Sequence, residues 1–82
     1  MISEYIEKAM EKAFYDKLED GTYSGEISEC PGTLAFGKTL YECQRELKST
    51  LEGWIVIGLR HGHELPVIEN LDLNTKQEIV NE

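Results

Sequence analysis

The chain is poor in the residues that mark most recognisable chemistries. Its 82 residues include two cysteines, two prolines, one tryptophan, and eight lysines and arginines together. Two cysteines, Cys30 and Cys43, are too few for a disulfide framework or a four-ligand zinc site. No apolar run approaches the roughly 20 residues that a membrane-spanning helix needs. The opening Met-Ile-Ser-Glu-Tyr-Ile-Glu-Lys is charged from the start and lacks the apolar core of a signal peptide. A cytoplasmic protein without a membrane partner is therefore expected. G-x-S-x-G, P-loop, dinucleotide-fingerprint and H-E-x-x-H patterns are all missing. The chain is accordingly expected not to be an enzyme, and no catalytic residue, metal or cofactor is assigned.

The scarcity of basic residues has its own consequence. Sixteen aspartates and glutamates against eight lysines and arginines leave a net charge of -8. That charge repels phosphate backbones, so direct nucleic-acid binding is not expected. It suits a partner of opposite sign, whose approach it accelerates. The length allows a single domain, residues 1–82, which buries only roughly 60% of its unfolded surface. Self-association, as a homodimer or homotetramer, would add to so small a core.

What is present reads as an α+β fold. Ser3 can cap a first helix within residues 1–13, where Tyr5, Ile6, Ala9, Met10 and Ala13 recur at helical spacing. The period changes to two over Phe14–Leu18, which predicts a strand. Asp20-Gly21 signals a type I′ hairpin, and Thr22–Ser28 returns with Tyr23, Gly25 and Ile27 on one face. Pro31-Gly32 predicts a second turn, and Leu34–Gly37 a third strand. Thr39 and Glu42 have capping-box spacing for a long helix. Its apolar stripe is Leu40, Cys43, Leu47, Leu51, Trp54, Ile55 and Gly58, and that stripe must pack on the sheet. Gly62 predicts the helix end, and Glu64–Ile68 a short final edge strand. The core is thus residues 14–68, and 69–82 form a polar tail. Cys43 falls on the buried stripe, whereas Cys30, in a turn before Pro31, is expected near the surface.

Three groups of residues invite a functional reading. His61 and His63 could share an ion, but no third ligand is evident, so they read as a helix end and a strand start. Asp16, Glu19, Asp20, Glu26 and Glu29 gather around the predicted hairpin. As sheet-borne carboxylates they would suit a metal-dependent nuclease, but exposed acids are usually a solvated face. Glu19, Asp20, Glu26 and Glu29 are the candidates for contact with a basic partner. The helix becomes apolar nearly all round at Trp54–Leu59, more than one sheet face requires. Trp54, Val56 and Ile57 are therefore the candidate self-association surface.

The order of these motifs resembles a known family. Asp20-Gly-Thr-Tyr, the Pro31-Gly32 turn and Gly37-Lys-Thr-Leu-Tyr-Glu42 match the D-G-x-Y hairpin, P-G turn and G-x-T-x-x-E helix start of HicB-like antitoxins. The resemblance spans roughly Phe14 to Ile68. It implies a β-β-β-α-β unit like part of the ribonuclease H fold, lacking that enzyme's metal carboxylates, to which the N-terminal helix is an addition that makes the whole chain α-β-β-β-α-β. It also implies an oligomeric cytoplasmic antitoxin that covers the active site of a small basic HicA-type toxin, an mRNA-cleaving ribonuclease. Residues 69–82 are too short for the DNA-binding module of many relatives, so promoter binding is not expected. A stand-alone module of the same fold, without a toxin, is the alternative.

Overall fold

The computed structural model describes residues 2–73. The larger part of the predicted tail, from residue 74 onward, lies outside the described residues. Helix α1 spans Ile2–Glu11 and buries Tyr5, Ile6 and Ala9, the face that its periodicity marks. Strands β1 (Phe14–Lys17), β2 (Tyr23–Glu26) and β3 (Leu34–Gly37) form an antiparallel sheet in the order β1-β2-β3. Helix α2 (Leu40–Arg60) then crosses one face of that sheet, packing mainly on β3 and β2. The result is a two-layer α+β domain whose sheet is covered by helix α2 on one side.

The turns follow from local chemistry, with one change from expectation. The Gly21 amide donates to the Leu18 carbonyl at 2.9 Å, and the Leu18 amide to Thr22 at 2.7 Å. Among the hairpin residues only Gly21 takes a positive φ, 89°. This is a three-residue loop, a type I turn followed by a left-handed glycine, not the two-residue type I′ turn predicted from Asp-Gly. Asp20 escapes the left-handed region because its Oδ1 accepts from both the amide and the hydroxyl of Thr22, at 3.0 and 2.6 Å. In the β2–β3 connection, Pro31 and Gly32 (φ 95°) occupy the central positions of a turn closed by Thr33 N–H to Cys30 C=O. That arrangement suits a type II turn. The buried Thr33 hydroxyl donates to the same carbonyl at 2.6 Å.

Both ends of α2 are capped. Thr39 Oγ1 accepts from the Glu42 amide at 3.0 Å, while the Glu42 carboxylate accepts from the Lys38 amide at 2.7 Å. The reciprocal bond of a capping box would reach the amide of Thr39; here it falls one residue earlier. At the other end His63 N–H donates to Gly58 and Gly62 N–H to Leu59, with Gly62 at φ 70°. These two bonds are the Schellman termination predicted for Gly62.

The final edge strand predicted at Glu64–Ile68 does not join the sheet. Among the described residues this stretch forms an isolated bridge, Ile68 to Leu71, and no strand of the sheet. Its residues Leu65 and Ile68, with Leu73 beyond them, instead enter one cluster with Tyr5, Ile27, Leu47, Leu51 and Ile55. Burying three large side chains under the helices outweighs lengthening an exposed sheet edge, and Pro66 has no N–H to offer a neighbour. The Tyr5 hydroxyl donates to the Pro66 carbonyl at 2.7 Å and ties this segment to α1.

Cys30 also departs from expectation, being fully buried within the same cluster. Burial pushes its thiol above the ordinary 9.0 to about 11, with the neighbouring Tyr5 hydroxyl opposing the shift. Tyr5 itself is raised well above the usual phenol range, first by burial and then by Cys30. Both groups stay neutral in the fold while an unfolded chain would ionise them. Stability is therefore complete below about pH 9 and falls as pH rises toward 11. Thermal melts between pH 7 and 11 should show this decline, with a shallower slope in Cys30→Ala. A flat profile would contradict the burial of this pair.

Candidate functional site

Strand alternation divides the sheet into two unlike faces. In the register, Phe14 pairs with Glu26 and Glu26 with Leu34, while Asp16 pairs with Ser24 and Ser24 with Phe36. These six side chains share the face away from α2, because pairs opposite one another in antiparallel strands point the same way. The other face carries Tyr15, Gly25 and Ala35, and there the Cys43 thiol of α2 donates to the Ala35 carbonyl at 3.8 Å. On β3, Ala35 and Gly37 face inward and Leu34 and Phe36 outward, which lets α2 sit close to that strand. The outward face remains open, with Phe14 64%, Leu34 48% and Phe36 56% exposed.

The sequence-selected acids are all exposed, but they do not form one cluster. Glu19 and Asp20 lie in the β1–β2 loop, beside the Lys17–Tyr23 pair. Glu26 lies at the far end of β2, opposite Phe14, and Glu29 lies in the turn beyond it. The length of β2, roughly 10 Å, separates the two pairs. The Asp20 carboxyl is held below its usual range first by the Thr22 hydroxyl and then by the Thr22 amide. Ser28 donates weakly to Glu29 at 3.5 Å.

The candidate self-association residues divide as well. Val56 and Ile57 are exposed on the outer side of α2. Trp54 is half-buried against the core, and its indole N–H donates to the Pro31 carbonyl at 3.1 Å. It anchors the β2–β3 turn to α2. His61 and His63 stack at 5.7 Å, exposed. Among the described residues, no group of three or more His, Cys, Asp and Glu side chains is placed to hold a metal ion. None of the described helices is long and apolar enough to cross a membrane.

The open apolar face is the feature that the sequence reading passes over. Its signal is present in Leu34-Ala-Phe-Gly37, where large and small residues alternate with a period of two. Only the packing of α2 reveals that the small pair faces inward.

Comparisons with known proteins give the scaffold a context. The family model described as UPF0150-like matches residues 4–66, from α1 through α2 to Pro66. No curated protein matches the chain. Among solved structures, the crystal structure of TTHA0281 from Thermus thermophilus is similar at 36% identity. The likeness covers 88% of this chain and 90% of that one, with a TM-score of 0.82.

Proposed function

The chain belongs to the UPF0150-like family, and from that premise we propose that it is a non-enzymatic antitoxin of the HicB type. In this reading it is a cytoplasmic protein that neutralises a small basic HicA-type mRNA-cleaving toxin by direct contact over the toxin's active site. The scaffold would serve as a partial ribonuclease H-like platform, with no cofactor and no nucleic acid bound directly. Homo-oligomers would form through Val56 and Ile57, with Trp54 bracing that end of the helix.

The observation that carries the reading is exposed acidity spread along the sheet and its turns. Asp16, Glu19, Asp20, Glu26 and Glu29 are all exposed, and the ion pairs Lys8–Glu11 and Lys12–Glu69 engage none of them. Such a field speeds encounter with a cationic ribonuclease and repels its RNA substrate. Tagged protein recovered from the source cell should carry a small, basic, stoichiometric partner identifiable by intact mass. Glu26→Lys combined with Glu29→Lys should slow association with that partner roughly tenfold at low salt. Both changes lie on exposed positions and should leave the melting temperature unchanged. Affinity that ignores the charge reversal would remove these two acids from the contact.

A further inference from the structure

We propose that the open face of the β-sheet is a docking site for a cationic amphipathic helix of a partner protein. The inference rests on the antitoxin reading for the partner's charge, and it adds where that partner sits and what else it must carry. Phe14, Leu34 and Phe36 are the apolar anchors, and Asp16 and Glu26 are the charged contacts.

The size of the face selects the occupant. Three strands spaced about 4.8 Å apart and four residues long make a patch roughly 14 by 10 Å. That matches the width of one helix, about 10 Å with side chains. An antiparallel sheet can leave one face to solvent, but here that face carries Phe14, Leu34 and Phe36, and a helix laid across it would cover all three. Phe14, Leu34 and Phe36 stand together on this face and are each about half exposed or more.

The charges of the face select its chemistry. Among its six side chains the two ionisable groups are both carboxylates, Asp16 and Glu26, with Ser24 between strands carrying Phe14 and Phe36. A second copy laid face to face would set these carboxylates against their own kind and desolvate them without a counter-charge. A head-to-tail contact with another surface of the same chain would bring together two molecules that each carry a net charge of -8. An anionic membrane or nucleic acid is repelled. A helix with a leucine-like stripe flanked by arginines satisfies every group, since arginine forms bidentate bonds to carboxylates and its stem covers aromatic rings.

The test uses the full-length protein labelled with 15N and three synthetic 16-residue peptides. One carries a leucine stripe flanked by arginines, the second replaces every arginine by glutamate, and the third keeps the arginines but replaces leucine by serine. The first should shift the amides of 14–16, 24–26 and 34–36, and should bind at least tenfold more tightly than either control. Leu34→Ser with Phe36→Ser, and separately Asp16→Lys with Glu26→Lys, should each weaken it at least tenfold. Circular dichroism melts verify folding, and if the serine pair fails to fold the charge-reversed pair carries the test. Shifts confined to Val56 and Ile57, or equal binding by the leucine-free peptide, would overturn the assignment. So would a dimer in sedimentation that the serine pair alone dissociates, which would give the face to a second copy. A basic toxin recovered from cells whose affinity ignores both variant pairs would sink the face but leave the antitoxin reading standing. Peptide binding as expected, with no basic partner in the source cell, would do the reverse.

Discussion

Gly37→Val should destabilise the domain by about 3 kcal/mol, the upper end of what overpacking costs. A Cβ at Gly37 would overlap the Cys43 nitrogen and lie 2.7 Å from its Cα and 2.9 Å from the Glu42 carbonyl carbon. All three atoms belong to the backbone of the first turn of α2, so no rotamer change relieves the clash. The only response is to lift β3 away from the helix, which breaks the contact between Cys43 and Ala35 and loosens the Thr39 cap. For a domain of this size a loss of that magnitude lowers the melting temperature by roughly 12 to 24 °C. Gly53→Ala is the matching control, because Gly53 lies mid-helix and a Cβ added there would meet nothing within 4 Å. That change should stabilise the protein by up to about 1 kcal/mol through helix propensity. Urea or thermal denaturation of both variants reads the difference, and a wild-type melt for Gly37→Val would refute the close approach of β3 and α2.

Tyr5→Ala should be comparably severe, at about 4 kcal/mol, the range for deleting a large buried aromatic side chain. Tyr5 is fully buried, shares the core cluster with Leu47, Leu51 and Ile55, and holds Pro66 through its hydroxyl. Tyr5→Phe separates the two contributions. It keeps the ring and removes the donor to the half-buried Pro66 carbonyl, which costs about 1 kcal/mol. The phenylalanine variant should therefore stay folded while its 65–73 segment exchanges amide protons faster. The alanine variant should loosen α1 as well, since Ile6 and Ala9 belong to the same cluster as the ring it removes. Equal stability of the two variants would show that the hydroxyl, and not the ring, carries the contact.

Such losses are large because the core is small. A chain of this length keeps roughly 5–10 kcal/mol of net stability at most, so either substitution removes a substantial share. Exposed acids on the sheet cost little to change, which is why charge reversal can probe binding without touching the fold. The positions that test the fold and those that test the function are thus different sets of residues.

Much of this architecture is legible along the chain, because its signals are local. The helical period of Cys43, Leu47, Leu51 and Ile55 marks the buried side of α2, and Thr39 and Gly62 mark its ends through bonds made within a few residues. Strand β3 lies between the glycine turn at Gly32 and Gly37, and its limits agree with the sequence reading. The misreadings arise where another group intervenes. Asp20 stays out of the left-handed region because Thr22 captures its carboxylate, which gives a three-residue loop where Asp-Gly alone suggests two. Cys30 is drawn inward to Tyr5, far back on α1, although its turn suggests the surface. Glu64–Ile68 has the composition of an edge strand but gains more by burying Leu65 and Ile68 beneath the helices.

The candidate surfaces show the same division. Net charge and the order of turn and cap motifs come from the sequence alone, and so does membership of the UPF0150-like family. Which acids stand together does not, because β2 carries Glu26 to the opposite end of the sheet from Glu19 and Asp20. Nor does periodicity say which side of a strand meets the helix: Phe14, Leu34 and Phe36 read equally well as core or as surface until α2 takes the face with Gly25, Ala35 and Gly37. Sequence determined the two helices, the three strands, the ends of α2 and the net charge, since those depend on neighbours within a turn or a strand. Tertiary structure decided which apolar residues are spent inside and which are left outside, since helix α2 can cover only one face of a three-stranded sheet.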